Sequence, residues 1–392
     1  MTCGAMTEPS AFARILNVED ARQAARRRLP RGLFEYVDRG CEDEVSILAN
    51  RRRLDAIALS PAVLVDVTGT STEAELLGKR QPSPIIIAPT AVAGLVWHDG
   101  EIALARAAAR AGIPFCVSTQ SITSIERIAT ESGADLWFQL YVWNDRRRML
   151  NLLDRAWAAG AETLVLTADT AVVPNREYNL RNGFGIPLTA SWRAALDVAL
   201  HPRWAVAVML RALATSGVPT YAHYPAEFRT RLGREALSDE VGLAKDVTWD
   251  DVRLLRERWR GKLVVKGVLR VEDALTACAH GVDAIVVSNH GARNLDCAPG
   301  PTEVLPRIAE AVGERMEIFA DSGVRRGADI ARFLALGARG VMIGRATLYG
   351  VAMGGDGGAA RVLDLLSAEL RMTMGMLGAQ KLADIQQIAS SR

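Results

Sequence analysis

Eight short runs of apolar, mostly β-branched residues recur along the chain, and helical patterns separate them. The runs are Pro84–Pro89, Phe115–Thr119, Leu136–Val142, Thr163–Asp169, Leu263–Val268, Ala284–His290, Glu317–Gly323 and Gly340–Arg345. They are continuous rather than alternating, which is the pattern of parallel strands buried on both faces. Helical stretches at Glu101–Ala111, Thr123–Ser132, Asp145–Ala159, Val271–His280 and Arg326–Leu336 are each followed by a glycine, at 112, 133, 160, 281 and 337. Glycine just past a helix is the usual left-handed stop. Eight such units in order predict an α/β fold, a (β/α)8 TIM barrel. A doubly wound open sheet is the alternative, weakened because no GxGxxG follows the first run.

All 392 residues read as one domain, with two segments outside the rhythm. Residues 1–80 carry helical patterns at Val18–Leu29 and Gly32–Asp38 and an acidic Glu42-Asp43-Glu44, and are expected to cap one end of the barrel. Residues 172–248 separate the fourth and fifth runs. Ordinary βα connections are about 2–6 residues, so this insert is expected to be a lid or docking element. Lys+Arg 47 against Asp+Glu 45 leaves no global basic field for nucleic acid. Cysteines 3, 41, 116, 278 and 297 form no CxxC pair. This argues against a disulfide framework or structural zinc and fits a reducing compartment. Neither an apolar signal core nor a spanning apolar run is present, so a cytoplasmic location is expected.

In a barrel the C-terminal strand ends form the active face. The sequence places there Gln139 and Tyr141, Thr167 and Asp169, Lys266, Ser288-Asn289-His290-Gly291-Ala292-Arg293, Asp321-Ser322-Gly323, and Gly344-Arg345. Each has an ordinary reading. Lys266 serves equally as half of a structural ion pair, Asp169 as a loop cap, and Ser118, Gln139 and Thr167 as barrel filling. His98, His201, His223 and His280 are read as structural. His290 differs because it sits at a strand end beside Gly and Arg. Gly323, Gly327 and Gly344-Arg345 follow strands seven and eight, where barrels commonly bind phosphate, and Arg325 and Arg345 supply cations. A phosphate-bearing cofactor is therefore expected. Ser288 near His290 lacks a GxSxG elbow, and no metal-ligand spacing is present, so no metal is expected.

The segment Val287-Ser-Asn-His-Gly-Ala-Arg-Asn-Leu-Asp296 closely resembles the signature of the FMN-dependent 2-hydroxy-acid oxidases and dehydrogenases. Ile87-Ala-Pro-Thr90, Trp137–Val142, Leu166–Asp169, Val265-Lys-Gly267, Ala320–Gly327 and Ile343-Gly-Arg345 extend the likeness over most of the chain. Leu77–Gln81, Leu200–Trp204 and Gly344–Gly350 look most like the membrane-associated, quinone-linked mandelate and lactate dehydrogenases of that family. The resemblance implies FMN on the backbone of Ala88, Pro89, Thr90 and Ala91, with Ser118, Gln139 and Thr167 at the flavin ring and Lys266 and Ser288 beside it. It implies that Asp321, Ser322, Gly323, Arg325, Gly344 and Arg345 hold the ribityl chain and phosphate. Arg176 and Arg293 would clamp the substrate carboxylate, Tyr36 and Tyr141 would contribute hydroxyls, and His290 would be the general base oriented by Asp169.

The same resemblance places Gln120 and Val173 at the substrate side chain. A large aromatic residue is missing there, which leaves room for a phenyl group and favours mandelate-like substrates over glycolate; Gln120 equally suits a substrate with its own polar group, and lactate is also open. Residues 188–234 carry Arg193, Arg203, Arg211, Arg229, Arg231 and Arg234 against Asp197 and Glu227, with Trp192, Trp204 and an apolar 205–213 run. Such a segment fits a bilayer surface, so peripheral contact with the inner face of the membrane and a quinone or respiratory-chain acceptor are expected. A lid or oligomer contact is the alternative, and a homotetramer is what the family implies. Competing functions are a soluble oxidase that reduces oxygen to peroxide, a flavin-free phosphate-sugar isomerase, and a barrel that only binds.

Overall fold

The computed structural model describes residues 12–184, 192–228 and 239–390. Each apolar run forms one strand: β1 Ile85–Ile87, β2 Phe115–Ser118, β3 Leu136–Leu140, β4 Thr163–Thr167, β5 Lys262–Val268, β6 Ala284–Val287, β7 Glu317–Ala320 and β8 Gly340–Ile343. All pair in parallel in chain order, and β8 closes on β1 with Val341 opposite Ile85. The sheet is a closed barrel, so the open-sheet alternative is excluded. The five helix-ending glycines all have positive φ. Most strands stop two or three residues before the apolar runs do, because the last residues of each run turn inward as loops.

Inside the barrel, side chains alternate by two along each strand. Ile86, Cys116, Trp137, Val165, Val264, Val286, Phe319 and Met342 form a dry apolar layer, with the Trp137 and Phe319 rings 5.7 Å apart. Two residues further along, the layer becomes polar: Ser118, Gln139, Thr167, Lys266, Ser288 and Asp321, all buried. A plug below and polar groups above give the barrel a floor and a reactive upper face.

The N-terminal segment covers both ends rather than one, which corrects the expectation from sequence. Its helices α1 (Val18–Arg28), α2 (Arg31–Asp38) and α3 (Val45–Ala56) are followed by a hairpin, Ala74–Leu76 with Lys79–Gln81. The hairpin closes the floor: the Leu77 N–H donates to the Glu317 carboxylate at the start of β7 (2.9 Å), and Lys79 pairs with Asp135 and Glu162 just ahead of β3 and β4. The helices lie over the upper face, where carbonyls of Val37 and Arg39 accept from Arg345. The α3 start has no capping side chain of its own; the Asp296 carboxylate accepts the Val45 and Ser46 N–H groups at 3.0 Å from across the fold.

The insert leaves after β4 and returns at Trp249–Arg258, a helix with a Thr248/Asp251 capping box. It contains Trp192–Ala199, then a run from Pro202 to Thr215 that includes a π-turn at Ala205–Leu210. Trp204 was expected at a bilayer surface. Instead it is buried, and its indole N–H donates to the Leu95 carbonyl at 2.8 Å. Arg229, Arg231 and Arg234 lie outside the described residues, as does Cys3. Cys41, Cys116, Cys278 and Cys297 are free thiols. Among the described residues no helix is long and apolar enough to cross a membrane, and no His/Cys/Asp/Glu group could hold a metal ion.

Candidate active site

The reactive loops are shaped by backbone that few residues tolerate. The β5–β6 register shifts around Gly267, whose φ is +106°, and a Cβ there would fall 2.5 Å from the Asp169 Cβ. A bulge beside an active site typically re-aims a neighbouring side chain, and here it makes room for Asp169. After β6, His290, Ala292 and the glycine between them all have positive φ (+56°, +59° and +65°). Non-glycine residues in this region cost on the order of 1 kcal/mol each, so hydrogen bonds must hold the turn. The His290 N–H donates to Ser288 Oγ (3.0 Å), the Gly291 N–H to Ser322 Oγ (3.1 Å), and the Gly291 carbonyl accepts from Arg345 (2.8 Å).

That turn sets His290 Nδ1 2.8 Å from Asp169 Oδ1. With the carboxylate ionised, Nδ1 carries the proton and Nε2 is left as a base. Burial would raise the Asp169 carboxyl, but His290 and Lys266 outweigh it and hold it down to about 2. Burial lowers the His290 imidazole below its ordinary value, partly offset by Asp169. The ring is therefore neutral and proton-accepting near neutral pH. Asn294 donates to the Asp169 carbonyl (2.9 Å) and Thr170 to Oδ1 (3.1 Å), which fixes the carboxylate from behind.

Two guanidinium groups converge in front of the imidazole loop. Arg293 lies 5.1 Å and Arg176 5.9 Å from the Tyr36 ring centre. Arg293 donates to the Tyr36 and Arg39 carbonyls, and Arg176 donates to the Arg293 carbonyl. Among the described residues neither pairs with a carboxylate, and Arg176 Nε is buried without a partner. Burial, then the Arg293 charge, lowers Arg176. Two crowded cations without a counter-ion form a site for an anion, and planar forks suit a carboxylate. Tyr141 is half-buried nearby, its phenol pushed up by desolvation and by Asp169.

Deeper in the barrel, Lys266 Nζ contacts Ser288 Oγ (2.8 Å) and pairs with Asp321 (3.2 Å). The structural ion-pair reading of Lys266 is thus realised, and both partners still face the cavity. Burial lowers this ammonium, while Asp321 and Asp169 more than compensate and raise it. Gln139 Oε1 accepts from Ser118 Oγ at 3.1 Å, but its Nε2 is buried with no partner. An unmade hydrogen bond at such a group costs roughly 1–3 kcal/mol, which a ligand acceptor would offset. Arg345 donates to the carbonyls of Val37, Arg39 and Gly291, and burial lowers it to about 10. Arg325 stacks on Tyr349 without a carboxylate partner among the described residues. Gly327 does not belong here: its N–H donates to Glu369 (2.8 Å), and Asp329 occupies the adjoining helix start. Of the residues expected at a phosphate, Gly323, Arg325, Gly344 and Arg345 face the cavity and Gly327 does not.

These groups line one cavity of about 790 Å³, within the usual range for cofactor-sized sites. Tyr36, Ala88–Ala91, Ser118, Gln120, Gln139, Tyr141, Thr167, Arg176, Lys266, His290, Arg293, Asp321–Gly323, Arg325, Gly344 and Arg345 all face it. Asp169 and Ser288 stand behind His290 and Lys266 rather than on the wall. Val173 is 90% exposed and sits at the mouth. Sequence reasoning missed Tyr221, Leu180, Leu243 and Lys245, which also line the cavity. They come from the insert, where no periodic signal marks an inward face.

The pattern over residues 25–391 matches the FMN-dependent dehydrogenase family. The chain is 42% identical over 364 residues to (S)-mandelate dehydrogenase of Pseudomonas putida, covering 93% of this chain and 91% of that protein. It is also 42% identical over 379 residues to L-lactate dehydrogenase of Caulobacter vibrioides, covering 95% and 97%. Among solved structures, the monotopic membrane protein (S)-mandelate dehydrogenase superposes with a TM-score of 0.87 at 41% identity over 94% of this chain and 97% of that one.

Proposed function

The chain belongs to the FMN-dependent dehydrogenase family, and we propose that it oxidises an (S)-2-hydroxy acid, mandelate-like or lactate, to the 2-oxo acid. The observation that carries this reading is the His290–Asp169 pair beside two half-buried guanidinium groups that have no carboxylate partner among the described residues. Arg176 and Arg293 bind the substrate carboxylate and fix the carbon bearing the hydroxyl. Tyr36 and Tyr141 add hydroxyl contacts and wall off water. His290 Nε2 takes up a substrate proton, and Asp169 stabilises the imidazolium that results. Bound FMN supplies the acceptor for the substrate's electron pair.

The residues present fit that group. Ala88–Ala91, Ser118, Gln139 and Thr167 would hold its ring, with the unpaired Gln139 Nε2 as an available donor. Lys266, backed by Ser288, would add positive charge, and Asp321, Ser322, Gly323, Arg325, Gly344 and Arg345 would hold its chain and phosphate. Gln120, Leu180 and Tyr221 leave a half-apolar space for the substrate side chain, which suits an aryl group.

For the acceptor, Trp192, Leu196, Leu200, Val206, Leu210 and Leu213 are exposed on the insert, with Arg193, Arg203 and Arg211 also exposed. An apolar row rimmed by arginines suits peripheral contact with the inner face of a membrane and electron delivery to a quinone. The assembly in this reading is a homotetramer.

Anaerobic addition of (S)-mandelate and (S)-lactate should bleach the flavin absorbance. The His290→Ala variant should keep FMN yet show no bleaching. A variant reduced at the normal rate would remove His290 as the base. Rapid oxygen consumption with peroxide release would replace the quinone reading with an oxidase.

A further inference from the structure

We propose that Asn50, on the upper-face helix α3, is the positioning residue that sets the imidazole of His290. The inference rests on His290 being the base. Asn50 and Asn289 form a reciprocal amide pair: Asn50 Nδ2 donates to Asn289 Oδ1, and Asn289 Nδ2 donates to Asn50 Oδ1, both at 2.9 Å. Both side chains are buried. A side-chain amide carries a donor and an acceptor side by side, so each partner satisfies both groups of the other. The same Asn289 Oδ1 also accepts the Ala292 N–H at 3.1 Å, and the Asn289 carbonyl accepts it at 2.9 Å.

Asn289 therefore helps close the left-handed turn that carries His290, and Asn50, the shorter contact beside a 3.3 Å bond from Asn289 Nδ2 to the Pro299 carbonyl, is the main group that sets which way the Asn289 amide faces. Were that amide to flip, Nδ2 would confront the Ala292 N–H, and the turn would be left with the Asn289 backbone carbonyl as its acceptor there. Positive φ at His290 and Ala292 is strained, so with a repelling Nδ2 beside the Ala292 N–H the loop would relax part of the way and shift the imidazole against Asp169. Further along, α3 fixes the same loop through the Asp296 carboxylate on its N–H groups. Helix α3 thus acts as the template against which the reactive loop is set. Asn50 does not itself line the cavity, and among the described residues its side-chain hydrogen bonds run only to Asn289, so it acts through that neighbour.

The test compares Asn50→Ala and Asn50→Asp with wild type and with Arg53→Ala, a control on the same helix whose partner is Glu303. Asn50→Asp is close in shape and keeps one acceptor, so it carries the test if Asn50→Ala does not fold. Each purified holoenzyme is measured for FMN per chain, for the rate of flavin reduction against pH, and by 15N NMR of labelled histidines. The charged groups around the imidazole are Asp169, Lys266 and Arg293.

The expected result is full FMN content with reduction slowed by about 30-fold, within the 10²-fold that about 1 Å of misplacement can cost. The acid limb of the profile moves up in pH as the ring gains water. The NMR signal of the Nδ1–H tautomer gives way to exchange, and KM changes less than kcat. Arg53→Ala behaves as wild type. A rate per bound flavin and a pH profile that stay at wild-type values, with only thermal stability reduced, overturn the proposal. If His290→Ala reduces normally the base assignment fails instead, and the NMR arm still decides whether Asn50 orients the ring.

Discussion

At the scale of single residues, the site is an electrostatic arrangement in which each charge is set by its neighbours. The Asp169 carboxyl, held at about 2, lies below its unfolded value of about 3.9. The unfolded chain therefore binds a proton before the folded one does as pH falls. Asp169 adds stability above about pH 4 and loses it on going down to about 2, worth about 2 kcal/mol. His290, lowered by burial, works in the same direction over a higher window, since the unfolded ring charges below about 6.5. Asp169→Asn should flatten the acid limb of a thermal-melt titration below pH 4 and slow flavin reduction; an unchanged slope would count against the ionised pair. Lys266→Met leaves the buried Asp321 without its cation. It should weaken FMN binding by about 10- to 100-fold, the value of one charged hydrogen bond at ~1.5–3 kcal/mol. Fluorescence of released flavin measures this, and unaltered affinity would remove Lys266 from the flavin site. His290, Asp169 and Arg293 were legible as cavity-side candidates because each sits at a strand end or in a recognisable motif, whereas Arg176, in the insert past β4, was reached only through the family resemblance. Asn50 was not, since its partner lies far away in sequence.

At the scale of elements, legibility followed from how far each element's reasons lie along the chain. The barrel strands read clearly because burial on both faces writes itself as unbroken apolar runs. The helix α3 did not, because its cap is Asp296 rather than a neighbour. The floor hairpin did not either, since strands of three residues leave no periodic trace. The insert shows the limits of composition. Trp192 and Trp204 look alike in sequence, yet one is 72% exposed and the other 4%. Trp204→Ala should loosen the insert from the barrel by about 3–5 kcal/mol, seen as faster limited proteolysis between residues 192 and 228. A paired substitution of Leu196 and Leu210 to Asp should instead leave proteolysis unchanged and move the protein from membrane to soluble fractions. If both variants fractionate as wild type, the exposed row is not a docking face.

At the scale of the whole molecule, the barrel supplies rigidity and the additions supply the site. His223 ties the insert to the barrel: its ring accepts the Ile125 N–H and meets the Thr119 carbonyl, and burial keeps it neutral at about 4. Arg345, at the end of the last strand, holds α2 and the His290 loop together. The earliest helix, α1, packs along Arg345–Leu377 near the other terminus. Both ends of the polypeptide must therefore be present before the upper face exists. A ribosome still translating the eighth strand holds a chain with no completed upper face, so flavin loading should follow translation of that strand. Nascent products that stop short of it should emerge colourless, and absorbance of ribosome-bound chains of increasing length checks this.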